Sequence, residues 1–345
     1  MNHYFFSYEQ AHRHFVDIDF TVDIKGEKEL RFQLPAWRPG RYELGDFSKN
    51  IQKWAAFDEN GNQLPHEKIT KDCWSVQTKG EKKVTIAYNY YANKLDAGST
   101  YLDEKQLYVN PVNCCLYVLG REQDSCSLEL ELPKDYQIAG GLKKEGNTLF
   151  ADNFDQLAEC PFIASSSLQH DCYEVNGTPF HLWFQGPCNP PFEKLKKDFK
   201  AFTQEQIDCF GGFPTKEYHF LFQITPYKSY HGVEHTNSTV ILLGSEEDIF
   251  EKRYEDLLGI SSHELYHTWN IKAIRPAEML PYDYTKENYS KLGYVAEGVT
   301  TYMGDVMLHR PRVFDWKAFA KTQNENLKRH FENEGRHNLS VADSS

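Results

Sequence analysis

The 345-residue chain carries 38 Lys and Arg against 50 Asp and Glu, a formal net charge of -12. That balance argues against nucleic acid as a partner, because binding its backbone needs clustered Lys and Arg that displace counterions. With 40% hydrophobic and 14% aromatic residues, and about 150 residues per domain as a guide, the chain is expected to form two well-cored domains, 1–168 and 169–345.

The amino terminus has no basic segment followed by an apolar stretch and a small-residue cleavage site, so no secretory leader is expected. No run of about 18 apolar residues predicts a membrane span. The eight cysteines form no C-x-x-C pair, which signals neither a structural zinc site nor a redox motif. Together these features predict reduced thiols and a cytoplasmic location, with export left open for a chain whose leader has been removed.

Up to about residue 168, short segments alternate apolar and polar residues, at 14–22, 83–91 and 127–132, separated by Gly, Asn, Asp and Pro. Period-2 alternation with frequent turn residues predicts antiparallel sheet with one wet face. Trp37, Pro39, Gly40 and Tyr42 read as a tight turn with the indole packed beneath it. After residue 168 come a strand at 179–184, a charged helix at 191–209, strands at 218–225 and 239–243, and two further helices at 254–270 and 289–310. Strands followed by long helices predict an α+β chain.

The helix at 254–270 contains His263-Glu264-Leu265-Tyr266-His267. Residues i and i+4 share one helical face, so His263 and His267 can grip one metal ion from a single rigid element. Glu264 then stands beside the metal, placed to take a proton from a water that the metal has acidified. Glu297, on the second helix, is the candidate third ligand. Three protein ligands leave a fourth position open, as a catalytic zinc requires, so one zinc ion per chain is expected.

These residues lie within a longer pattern. The run HELYHTWNIKAIRP, with AEGVTTYMGD downstream, YHGVEHTNST upstream and LPAWRPGRYELGDFSKNIQ near the amino terminus, resembles the glycyl aminopeptidase family of gluzincin metallopeptidases. The resemblance implies a β-rich, sandwich-like amino-terminal domain followed by a thermolysin-like zinc peptidase domain, with further helices and a PDZ-like domain beyond the residues present. It therefore implies a catalytic domain incomplete at its carboxyl end, lacking the family's oxyanion-stabilising tyrosine. Tyr294 and Tyr302 flank Glu297 but match no such family position. The resemblance also implies that Gly232, Val233, Glu234 and His235 bind substrate along an edge strand, with Glu234 holding the free α-ammonium. Val233 stands where Leu is usual in the family, and His231 replaces what is often Gly. Arg275, ahead of Pro276, receives no catalytic role.

The expected function is a zinc-dependent aminopeptidase acting on peptides with a free amino terminus, Gly or Ala at that terminus being implied by the resemblance alone. Two alternatives stay open: a catalytically incomplete module that keeps its zinc and binds peptides or partners, and an endopeptidase in which Glu234 faces solvent. Nothing in the sequence specifies an oligomeric state.

Overall fold

The computed structural model describes residues 1–9 and 11–344. The chain divides into two compact units, the first made of Met1–Ser167 with Asp283–Glu287 and the second of Leu168–Tyr282 with Asn288–Ser345. A single boundary at residue 168 misses the return of Asp283–Glu287 to the first unit. That return rests on Tyr284, whose carbonyl accepts from Ala36 N at 2.8 Å and whose hydroxyl donates to Asp155 Oδ1 at 2.7 Å.

The first unit is built from sheets. Its seven-stranded sheet runs, in spatial order, Lys143–Glu145, Thr148–Ala151, Cys126–Leu130, Asn2–Ser7, Phe15–Asp23, Lys83–Tyr91 and Ile51–Asp58. Two four-stranded sheets accompany it. Alternation decides which side chains go inward: in Phe15–Asp23, Val16, Ile18, Phe20 and Val22 are buried. Phe20 stacks on Tyr4 at 4.3 Å between ring centroids and meets Phe32 of a second sheet edge-on at 5.9 Å. Trp37 is fully buried beside the turn at Gly40, where φ is 84°. All eight cysteines are free.

The second unit is a five-stranded mixed sheet ordered Gln169–Val175, Thr178–Gln185, Tyr218–Thr225, Ser238–Gly244 and Ser229–Glu234. Strand Tyr218–Thr225 is buried along its whole length, as a central strand in parallel pairing on both sides must be. Phe184, Phe220 and Phe222 point to one face, where Leu195, Phe199 and Phe202 of helix Phe192–Phe210 join them in the core. Leu257, Leu258, Ile260, Leu265 and Trp269 belong to the same core.

Two expected elements end differently. The helix from Tyr254 stops at Tyr266 rather than at 270, and the chain continues in tight turns such as Ile274 N to Trp269 O, 2.7 Å. The expected helix at 289–310 begins only at Tyr294, as a π-helical turn Tyr294–Val299 followed by α-helix Thr300–His309. Gly293 and Gly298 weaken regular helix there. Helix Trp316–Glu332, capped by Asp315 Oδ1 accepting from Ala318 N at 2.7 Å, is an element the hydrophobic pattern did not reveal. It buries none of its residues. No helix among the described residues is long and apolar enough to cross a membrane.

Candidate metal centre

Helix Tyr254–Tyr266 carries Glu255 and Asp256 in its first turn, where the helix dipole favours negative charge. At its other end His267 is the capping residue, with φ -61° and ψ -21°, so it keeps the helical position although it lies one residue past the helix. The i, i+4 geometry therefore holds, and the Nε2 atoms of His263 and His267 approach to 3.0 Å. Glu297, in the π-helical turn, places Oε2 at 3.5 Å from His263 Nε2 and 3.6 Å from His267 Nε2. Adjacent ligands of a tetrahedral zinc are about 3.3–3.4 Å apart, given metal–ligand bonds of about 2.0–2.1 Å. The two histidines and the carboxylate fit a zinc ion on geometry and on donor type.

The orientation of the ligands is fixed from behind. His267 Nδ1 lies 2.8 Å from the carbonyl of Asn270; a carbonyl only accepts, so Nδ1 carries the proton and Nε2 turns its lone pair inward. The same Asn270 donates from Nδ2 to Val295 O at 2.8 Å and to Thr300 Oγ1 at 3.0 Å. One residue thus aligns a histidine and ties down the turn that bears Glu297. Thr301 Oγ1 is 3.4 Å from His263 Nδ1. The two helices approach closely at Gly304, where an added Cβ would come within 3.1 Å of His263 Cα, and Ser262 Oγ donates to Gly304 O at 2.8 Å. Neither Asn270 nor Gly304 was singled out by spacing arguments, since neither carries chemistry of its own.

Carboxylates crowd this end of the sheet. Glu234 and Glu264 are 4% and 5% exposed, and together with His267 they bring their polar atoms within 4.8 Å of one another. Glu234 Oε1 and Glu264 Oε2 are buried without a hydrogen-bond partner. Burial holds the Glu264 carboxyl well above the usual carboxylate range. Burial alone would lower the pKa of His267, but the charges of Glu234, Glu297 and Glu264 outweigh it and push the ring up to about 9. Burial likewise opposes ionisation of Glu297, yet the bonds from His263 and His267 hold it far below the ordinary range. Buried acids that lack partners form a site with a deficit of positive charge, which a divalent cation and a cationic ligand would both relieve.

Ser229–Glu234 is a strand at the edge of the five-stranded sheet. A Cβ on Gly232 would overlap Glu264 Oε1, so a larger residue there would force that carboxylate to shift. Side chains alternate along a strand, which places Gly232 and Glu234 toward the cluster and turns Val233 to the opposite face, where it is 1% exposed. The side chain of Val233 is therefore turned away from Glu234 and Glu264. His235, just past the strand, is buried and lies outside the cluster of Glu234, Glu264 and His267. Tyr294 and Tyr302 are 43% and 53% exposed.

A second group, His181, Glu217 and His219, gathers on the same sheet. Its geometry suits a metal poorly. The rings of His181 and His219 stack at 4.6 Å with 14° between their planes, so their in-plane lone pairs do not converge. Trp183 Nε1 also donates to His219 Nδ1 at 3.2 Å, which leaves the proton of the neutral ring on Nε2, the atom facing Glu217.

Compared with known proteins, the chain matches the Peptidase M61 N-terminal domain over residues 3–166 and the M61 glycyl aminopeptidase domain over residues 256–345. Among solved structures, an aminopeptidase N family protein from Idiomarina loihiensis is similar over 100% of this chain, at 30% identity and a TM-score of 0.95. The chain spans 60% of the length of that protein. An M1 zinc metallopeptidase from Deinococcus radiodurans shares the fold at 14% identity and a TM-score of 0.55, over 95% of this chain and 73% of its own. A glutamate-to-alanine form of that enzyme, solved with a Tyr-Ser-Ala substrate, matches at 13% identity and a TM-score of 0.54, over 95% of this chain and 74% of its own. No curated protein sequence matches the chain.

Proposed function

The chain belongs to the M61 glycyl aminopeptidase family, and on that premise we propose that it is a zinc-dependent aminopeptidase acting on peptides with a small first residue. The observation that carries the reading is the convergence of His263, His267 and Glu297 to within 3.6 Å, with Glu264 and Glu234 buried beside them. His263, His267 and Glu297 would hold the ion through Nε2, Nε2 and Oε2. When bound, zinc supplies Lewis acidity to the peptide carbonyl and to the attacking water.

The remaining work falls to the chain's own groups. Glu264, buried and one residue from His263, accepts the proton of the attacking water on its carboxylate and passes it to the departing amine. Glu234 pairs with the substrate α-ammonium. A carboxylate in that buried position is compensated only when a cation meets it, which selects a chain terminus over an internal peptide bond. Gly232 leaves room for Glu264 and for substrate backbone beside the edge strand. The preference for Gly or Ala rests on family membership.

The test is twofold. Protein reconstituted with zinc should bind one ion per chain and cleave a glycyl or alanyl peptide. Acetylating the substrate amino terminus should abolish that cleavage, and Glu234→Ala should weaken free-amine substrates by about 2–5 kcal/mol in transition-state terms. Failure to bind zinc sinks the reading. Zinc binding without cleavage of any peptide would leave a peptide-binding module, and cleavage indifferent to acetylation an endopeptidase.

A further inference from the structure

Helix Phe192–Phe210 buries Leu195, Phe199, Phe202 and Ile207, and among them it buries an amide, since Gln206 is fully enclosed. Gln206 Nε2 donates twice, to Ser262 O at 2.9 Å and to Ser262 Oγ at 3.0 Å, while its Oε1 has no hydrogen-bond partner. An enclosed amide with an unmet acceptor adds little to stability, because its desolvation is only partly repaid. Its location gives it another use. Ser262 immediately precedes His263, and Ser262 Oγ donates at 2.8 Å to Gly304 O, on the helix that continues from the turn bearing Glu297.

Ser261 supplies the contrast. It is equally buried, yet its hydroxyl turns back along its own helix and donates to Leu257 O at 2.6 Å, a bond open to any helical serine. Ser262 has the same option at Leu258 and does not take it; its hydroxyl crosses to the neighbouring helix instead. Gln206 accounts for the difference. A hydroxyl has one proton, and with Gln206 Nε2 donating to Oγ from a third helix, that proton is directed at Gly304. We propose that Gln206 is a positioning residue for the metal centre. By committing the Ser262 hydroxyl to Gly304, it ties the helix of His263 and His267 to the one that continues from Glu297, and so holds the three donors at their spacing. Buried polar bonds of this kind specify one arrangement of packed elements more than they stabilise it. This inference rests on reading His263, His267 and Glu297 as zinc ligands.

The experiment reads metal binding, so it does not depend on turnover. Three quantities are measured: zinc affinity by competition with a chelator, the absorption spectrum of the cobalt(II) form, which reports ligand arrangement, and the melting temperature of metal-free protein. The proteins are the unaltered chain, Gln206→Met, Ser262→Ala, the double variant and Ser261→Ala. Gln206→Met and Ser262→Ala should each weaken zinc binding about 2–10-fold, the worth of one net hydrogen bond, and shift the cobalt spectrum. The double variant should lose no more than the larger single loss, because both changes break one chain of bonds. Metal-free Gln206→Met should melt no lower than the unaltered protein, since methionine fills a similar volume without an unmet acceptor. Ser261→Ala should keep its zinc affinity. Unchanged affinity in Gln206→Met and Ser262→Ala, additive losses in the double variant, or a Gln206→Met loss matched by a lower melting temperature overturns the proposal. Unaltered protein that binds no zinc overturns the zinc reading itself, and this proposal with it.

Discussion

Asn270 Nδ2 donates to the carbonyl of Val295 at 2.8 Å, joining the loop behind His267 to the turn that carries Glu297. Because the Asn270 carbonyl also receives His267 Nδ1, two of the three candidate ligands depend on one side chain and its backbone. Asn270→Ala should therefore weaken zinc binding by about 10–100-fold, the usual loss when support behind a metal ligand is removed. Competition against a fluorescent chelator measures this. Unchanged affinity would mean that the π-helical turn holds Glu297 unaided.

Glu264 and Gly232 test the proton-transfer role from two sides. Glu264→Gln should retain zinc and lower hydrolysis by about 10²–10⁴-fold, the typical contribution of general acid–base catalysis. Gly232→Ala pushes a methyl group into Glu264 Oε1, so it should also reduce turnover while zinc content stays at that of the unaltered protein. Metal analysis beside steady-state kinetics separates the outcomes; loss of metal in step with loss of activity would place Glu264 among the ligands instead.

Gly304 sets the spacing of the two helices. An alanine there meets His263 Cα at 3.1 Å and His263 N at 3.2 Å, backbone atoms that cannot step aside. Gly304→Ala should destabilise the second unit by about 1–3 kcal/mol, as overpacking does, and should also loosen zinc. Gly259→Ala, in the interior of helix Tyr254–Tyr266 where an added Cβ meets nothing within 4 Å, is the control and should leave stability unchanged or raise it by up to about 1 kcal/mol, since Ala is the better helix former. Equal melting temperatures for the two variants would refute the close approach.

Asp96, in the first unit, gives a prediction in pH. Burial would raise its pKa, but Lys94, at 2.7 Å, and the backbone N–H of Gly98, at 2.8 Å, outweigh it and hold the carboxyl at about 2. An unfolded Asp titrates near about 3.9, so the folded value is depressed. The stabilisation is then fully present above the unfolded pKa and is lost as pH falls through about 4 toward about 2. Asp96→Asn should cost roughly 1–2 kcal/mol at pH 7, and its deficit against the unaltered protein should shrink below about pH 4. Urea melts across that range would show a constant deficit if the carboxylate were not responsible.

How much of this was written in the sequence depends on the range of the interaction. Strand Tyr218–Thr225 and strand Lys83–Tyr91 were legible with their ends because an uninterrupted or alternating apolar pattern is local. His263 and His267 were legible for the same reason: i, i+4 spacing on a helix is geometry that the chain carries with it. The strand Ser229–Glu234 has no such signature, since its residues are mixed in polarity; only the resemblance pointed to an edge strand there, and its bounds and its approach to Glu264 came from the fold. The π-helical turn, the clamp made by Asn270, the close approach at Gly304 and the return of Asp283–Glu287 to the first unit also join residues distant in sequence. The sequence by itself determined that His263 and His267 share one helical face, and it offered Glu297 as a candidate third donor. Only the tertiary structure brings Glu297 to 3.5 and 3.6 Å from the two histidines, sets Glu234 beside Glu264 and His267 and turns Val233 away, because each depends on packing between elements whose register no local periodicity records.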